Sequence, residues 1–299
     1  MAFRSLISVL LGCCACVAAA QPVDTLAKIK SSGWITQGVR DSSGLSYTLG
    51  GGKYTGFHYE LCQNIIKDLE KQIGRDLQVN YLVVSSQNRM ALVQNGTVDL
   101  ECGSTTNNRS RQKDVAFAYT TFVEEVRMAV RADSGINSIK DLAGKTLVTT
   151  TGSTSVQILR KNKRAEGVTF SEVYGKDHAD SFLLLESGRA DAFVIDSSIL
   201  ASSIAKSRNP QNFKIVGKAL SLEPIAIMIP KDDPALKKAV DASIVRQIKS
   251  GDVERLYKKW FLGPVPPADV VINMPLSDAT KEAWANPNDR PAEDYVLKD

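Results

Sequence analysis

The sequence predicts a two-lobed α/β protein, each lobe a mainly parallel sheet flanked by helices, with two extended hinge crossings between the lobes. Three observations predict it. The run Leu92-Val-Gln-Asn-Gly96-Thr-Val-Asp99-Leu-Glu-Cys is echoed by Leu184-Leu-Glu-Ser-Gly188-Arg-Ala-Asp191-Ala-Phe-Val. Each copy reads as a helix end, a glycine cap and a strand. A weaker echo pairs Ile29-Lys-Ser-Ser-Gly33 with Ile139-Lys-Asp-Leu-Ala-Gly144, so each lobe starts with a short helix, a glycine stop and a first strand. Two extended segments, Val126 to Val130 and Pro224 to Pro230, then read as the way out of the first lobe and the way back.

Two crossings make the first lobe discontinuous. The expected boundaries are 21–127 and 228–270 for lobe 1, 128–227 for lobe 2, and 271–299 for a tail. Helices over Pro234 to Ser250 and Val253 to Trp260 belong to lobe 1, with Leu236, Val240, Ile244 and Ile248 at helical spacing. The tail is rich in Pro, Asp and Asn and either wraps the surface or stays partly loose.

The 299 residues are 43% hydrophobic and 23% charged, enough for a sizeable core. The net charge of +4 is scattered with no basic block, which argues against nucleic acid as a partner. Met1 to Ala20 carries Arg4, an apolar run and Ala18-Ala-Ala20 before Gln21, the pattern of a secretory signal peptide. The alternative is a lipoprotein box, Leu10-Leu-Gly-Cys13, with Cys13 lipidated. No other segment approaches the roughly 18 apolar residues of a membrane span. Removal of the leader takes Cys13, Cys14 and Cys16, leaving Cys62 and Cys102 either as one disulfide or as two buried thiols. Neither is placed for catalysis, and no metal cluster or cofactor motif is expected.

Polar groups that could hold a small ligand fall just past predicted strands, where open α/β sheets bind. Arg40 follows Trp34 to Val39, and Ser104 to Thr106 follow Asp99 to Cys102. Thr150 to Thr154 follow Thr146 to Thr149 and open a helix, either an anion site or simple N-capping. Asp196 ends the apolar strand Ala192 to Ile195, to meet a cation or to cap the next helix. Arg109 and Arg111 are alternatives on spacing for a guanidinium that grips a carboxylate. Arg89 opens a helix over Met90 to Gln94, and His178 precedes another.

The runs Ser86-Gln-Asn-Arg89, Glu101-Cys-Gly-Ser-Thr-Thr-Asn-Asn108, Lys176-Asp-His178, Asp180-Ser-Phe182 and Leu185-Glu-Ser-Gly-Arg-Ala190 resemble the periplasmic glutamate/aspartate-binding proteins of bacterial ABC importers, within the polar amino-acid binding family. The resemblance spans the mature chain to about Asn288. It implies the periplasmic binding protein fold of type II and a monomer that binds L-glutamate or L-aspartate, closes about its hinge and docks on permease subunits in the inner membrane. It also selects among the candidates. Arg111 is implied to grip the α-carboxylate, Ser104, Thr106 and Thr154 to complete the shell of the α-carboxylate and the α-ammonium, and Asp196 to pair with the ammonium. Arg40, Ser86, Arg89 and His178 are implied to hold the acidic side chain.

Two departures stand out: Gly44-Leu-Ser-Tyr47-Thr-Leu-Gly-Gly-Gly52 replaces a Pro-Phe-Ser-Tyr segment, an altered and flexible pocket wall, and Ser197 stands where close relatives carry a second Asp. The alternatives are a periplasmic lyase or dehydratase on the same fold, with His178 as acid or base, and a sensory ligand-binding protein.

Overall fold

The computed structural model describes residues 24–297. The expected leader, residues 1–20 with Cys13, lies outside them. Among the described residues, twelve strands and nine α-helices build the frame that positions the site. In chain order they are α1 Thr25–Ser32, β1 Trp34–Val39, β2 Tyr47–Gly50, β3 Lys53–Thr55, α2 Phe57–Ile73, β4 Gln78–Val83, α3 Arg89–Gln94, β5 Leu100–Glu101, β6 Val115–Phe117 and β7 Phe122–Arg131. There follow β8 Thr146–Thr150, α4 Ser155–Glu166, β9 Ser171–Gly175, α5 His178–Glu186, β10 Ala192–Asp196, α6 Ser197–Lys206, β11 Phe213–Ile225 and β12 Met228–Pro230, then α7 Pro234–Lys249, α8 Asp252–Tyr257 and α9 Asp278–Ala285.

Two five-stranded sheets form, in the orders β4-β1-β5-β12-β6 and β11-β7-β10-β8-β9. Both are mixed, which refines the expectation of mainly parallel sheets. In the first, β4, β1 and β5 run parallel while β12 is antiparallel to its neighbours. In the second, β9, β8 and β10 run parallel and the long pair β7 and β11 is antiparallel. Each parallel trio delivers three strand ends to one edge of its sheet. The long antiparallel strands carry the chain between the two sheets.

The internal echo has a structural cause. Asp99 donates its N–H to the Thr36 carbonyl and accepts the Thr36 N–H on its carboxylate, both at 2.9 Å. Asp191 repeats the exchange with Thr146, at 2.7 and 2.8 Å. Gly96 and Gly188, three residues earlier, have φ of 73° and 75°, the left-handed turn that ends a helix and that side chains disfavour. An aspartate after such a turn replaces a missing ladder partner, so each sheet starts its next strand in register.

Helix α7 is started by Asp233, whose side chain accepts from Leu236 N–H, and by Pro234 at its first position. It buries Leu236, Val240 and Ile244 against the first core, with Ile248 packed at its margin. The tail does more than wrap. Helix α9 lies on the outgoing crossing: Trp284 donates to the Thr121 carbonyl at 2.8 Å and Thr280 accepts from Val123 N–H at 3.0 Å. Asn107, beside the candidate site, is held by Asp289 and Ala292 backbone groups at 2.8 and 2.9 Å.

Cys62 on α2 is bonded to Cys102 just past β5, closing a sequence separation of 40 residues. A closure of that length is expected to contribute about 4 kcal/mol through the unfolded chain. Chemical denaturation of a Cys62→Ala/Cys102→Ala variant should show a loss of roughly that size with the circular dichroism spectrum unchanged, and a loss under about 1 kcal/mol would contradict this account.

Candidate functional site

Each candidate side chain sits at the carboxyl end of a strand of the two parallel trios. Arg40 follows β1, Ser86 and Arg89 follow β4, and Ser104, Thr106 and Arg111 follow β5. Thr154 follows β8, His178 follows β9, and Asp196 ends β10. The two edges face each other, and the groups meet in one cluster. Arg40 Nη2 donates to Ser86 Oγ at 3.0 Å and lies 3.2 Å from His178 Nε2, so it touches both sides. Thr106 and Thr154 hydroxyls stand 3.5 Å apart, and Arg111 reaches Gly152 O at 3.4 Å.

The alternatives left by spacing separate here. Arg109 turns outward and pairs with Asp294 of the tail at 2.6 Å. Arg111 turns inward, donating to Thr106 O at 2.9 Å. Thr154 and Asp196 both occupy N-cap positions, yet neither side chain caps its helix. The Thr154 hydroxyl instead donates to Glu223 at 2.8 Å.

The proton directions around His178 follow from the donors. A guanidinium N–H only donates, so His178 Nε2 accepts and its proton sits on Nδ1. Nδ1 then donates to Thr150 Oγ1 at 2.9 Å, Thr150 to Ser181 Oγ at 2.9 Å, and Ser181 to the Asp177 carbonyl at 2.8 Å. Burial, with Arg40 and Arg89 beside it, depresses the ring well below its ordinary 6.5. His178 is therefore a neutral acceptor that orients Arg40.

The guanidiniums are the unusual feature. Arg40 and Arg89 are each 2% exposed. Arg40 Nη1 and Arg89 Nε and Nη1 are buried donors with no hydrogen-bond acceptor among the described residues. Burial, helped by the neighbouring Arg89, lowers Arg40 and Arg111 to about 10, so all remain charged in neutral water. Carboxylates stand around them. Asp196 is pushed well up by burial and by the charges of Glu124 and Glu223, with Arg89 and Arg111 pulling the other way.

Residues 35–263 match the bacterial extracellular solute-binding proteins, family 3. The chain belongs to that family. It is 40% identical over 280 residues to the L-glutamate/L-aspartate-binding protein of Pseudomonas aeruginosa, covering 93% of each chain. It is 41% identical over 268 residues to the glutamate/aspartate import solute-binding protein of Escherichia coli K12, covering 89% of each. Among solved structures, an ArgBP mutant from T. maritima superposes with a TM-score of 0.70 at 26% identity, over 79% of this chain and 98% of that one.

Two carboxylates of this solute-binding protein escaped the sequence reading. Glu124 and Glu223 lie opposite each other on the paired crossings β7 and β11. Glu124 accepts from Ser197 Oγ at 3.0 Å and Ser198 N–H at 3.2 Å, and from Ser198 Oγ, at the start of α6. Burial pushes it up to about 7. Ser197, the departure from the resembling sequences, is thus a donor to Glu124. Of the altered segment 44–52, residues 44–47 are buried, with a Cβ on Gly44 placed 2.7 Å from Ser198 O, while 49–52 are exposed. A Cβ on Gly152 would come equally close, 2.7 Å from Ser86 O, at φ +78°.

Two cavities flank the cluster rather than contain it. One of about 600 Å³ is bordered by Tyr47, Asp177, Phe182 and Lys206, and another of about 490 Å³ by Arg111, Gly152, Thr154 and Arg160.

Because the folded ring is depressed below 6.5, the folded protein binds fewer protons than the unfolded chain just under that value. The stability contributed by neutral His178 is full above 6.5 and is lost as pH falls below it. Between about pH 7.5 and about pH 5, wild type should lose more thermal stability than His178→Gln, which keeps an acceptor for Arg40. Parallel melting profiles for the two proteins would remove His178 as the titrating group.

Proposed function

We propose that this protein captures an acidic L-amino acid, glutamate or aspartate, by closing its two lobes on it and delivers it to an ABC permease. One observation carries the reading: three buried guanidinium nitrogens, on Arg40 and Arg89, lack any acceptor among the described residues. Leaving donors on a buried cation unpaired costs several kcal/mol, which an anionic ligand recovers. A ligand with one carboxylate needs only Arg111 and the free N–H groups opening α4. A second carboxylate gives Arg40, Ser86 and Arg89 a function, with His178 acting through Arg40. The ammonium pairs with Asp196, which burial among carboxylates leaves in need of a cation.

The names carried by the relatives in Pseudomonas aeruginosa and Escherichia coli support the same ligand class. We take the lobes as 21–127 with 228–270, and 128–227, moving about β7 and β11. We infer a monomer in the periplasm, exported by the leader. The lyase reading is weaker, because His178 Nε2 is engaged by Arg40 and Nδ1 by Thr150, which leaves no free base.

Titration calorimetry on refolded, ligand-stripped protein should give roughly micromolar or tighter binding of L-glutamate and L-aspartate and none of L-arginine. Binding of L-arginine, or of neither acid, would overturn the reading. Arg89→Ala should weaken L-glutamate by ten-fold or more, on the order of a lost charged hydrogen bond, and weaken L-glutamine less. Equal losses for both would remove Arg89 from the side-chain carboxylate.

Lobe closure has its own test. Small-angle scattering should show wild type compacting on L-glutamate, whereas Gly152→Ala should bind at least about ten-fold more weakly and compact less. Unchanged affinity and compaction in that variant would mean that the Gly152 and Ser86 approach is not part of closure.

A further inference from the structure

Glu223 lies within the cluster but at none of the parallel strand ends. It sits on the returning crossing β11, 2% exposed, and one of its oxygens, Oε2, accepts from Thr106 Oγ1 at 2.7 Å and from Thr154 Oγ1 at 2.8 Å. Thr106 follows β5 of the first sheet and Thr154 follows β8 of the second, so a single hinge oxygen joins the two sides.

The consequence is proton bookkeeping. A threonine hydroxyl has one proton and two lone pairs. Both hydroxyls give that proton to Glu223, so neither has one left for a ligand carboxylate or for the other, 3.5 Å away. What they retain is accepting capacity. Asp196, whose carboxyl feels the charges of Glu223 and Glu124, lies within the same electrostatic neighbourhood. Two hydroxyl acceptors and a carboxylate form the shell that a primary ammonium, with three donors, requires.

We propose that Glu223 is a positioning residue for amine selection: by holding the protons of Thr106 and Thr154, it turns both hydroxyls into acceptors and makes the site prefer α-amino diacids over diacids without nitrogen. This rests on the acidic amino-acid reading above. The resemblance places Thr106 and Thr154 in the shell shared by the α-carboxylate and the ammonium, and Glu223 directs both hydroxyls to the ammonium. The α-carboxylate is then left to Arg111 and the opening N–H groups of α4.

Titration of wild type, Glu223→Ala and Glu223→Gln with L-glutamate and with glutarate, its deaminated counterpart, tests this. Wild type should prefer L-glutamate. Glu223→Ala should weaken L-glutamate by roughly ten-fold or more and glutarate by less than about three-fold, so the preference collapses. Glu223→Gln, whose amide oxygen can still accept both protons, should keep the preference within about three-fold of wild type. It also decides the matter if the alanine variant does not fold. Equal losses for both ligands, an unchanged preference in the alanine variant, or a collapse in the glutamine variant would each overturn the proposal while leaving the acidic amino-acid reading intact. Failure of wild type to bind L-glutamate would overturn both.

Discussion

The structure is organised around positive charge that the protein itself does not fully pair. Arg40 and Arg89 are buried, Arg111 reaches across the cleft, and three nitrogens of Arg40 and Arg89 meet no acceptor among the described residues. Charges out of water are held only by geometry supplied from outside the cluster. Ser86 and the His178 relay fix Arg40, the Thr106 and Gly152 carbonyls fix Arg111, and Glu101, Asp196 and Glu223 lower the energy of the set. Such a cluster is costly by itself and becomes favourable around an anion, which is the condition for a ligand to drive closure.

The carboxylates have a parallel logic. Glu124 and Glu223 sit side by side on the crossings, and Asp196 begins the helix that Glu124 caps through Ser197 and Ser198. Burial raises all three, so a cation entering this corner is favoured by carboxyl groups that lie out of water beside one another. The hinge is thus more than a flexible link. Its strands carry the acidic half of the site, and α9, packed on Thr121 and Val123, ties the tail to the same strands.

Much of this was legible in the chain. The two Asp-bearing echoes marked equivalent strands because both solve the same register problem with the same glycine and the same carboxylate. Strand-end placement brought out Arg40, Arg89, Thr106, Thr154 and Asp196, since parallel strands necessarily deliver their ends to one edge. The family resemblance chose Arg111, and the reason became visible only in the fold: Arg109 is taken by Asp294, 185 residues away.

What sequence alone determined was local and periodic: the α/β class, the glycine-capped helices, the two extended crossings and the strand ends that carry polar groups. Each depends on residues within a turn or two of one another, so the pattern survives in one dimension. Tertiary structure decided protonation and partnership. Thr106 meets Glu223 across 117 residues and Thr154 meets it across 69, while the charge on His178 depends on Arg40, 138 residues away. Hydrogen bonding and desolvation act over a few ångströms of space without regard to separation along the chain. That is why Glu223, which the sequence reading passed over, joins both sides of the folded site.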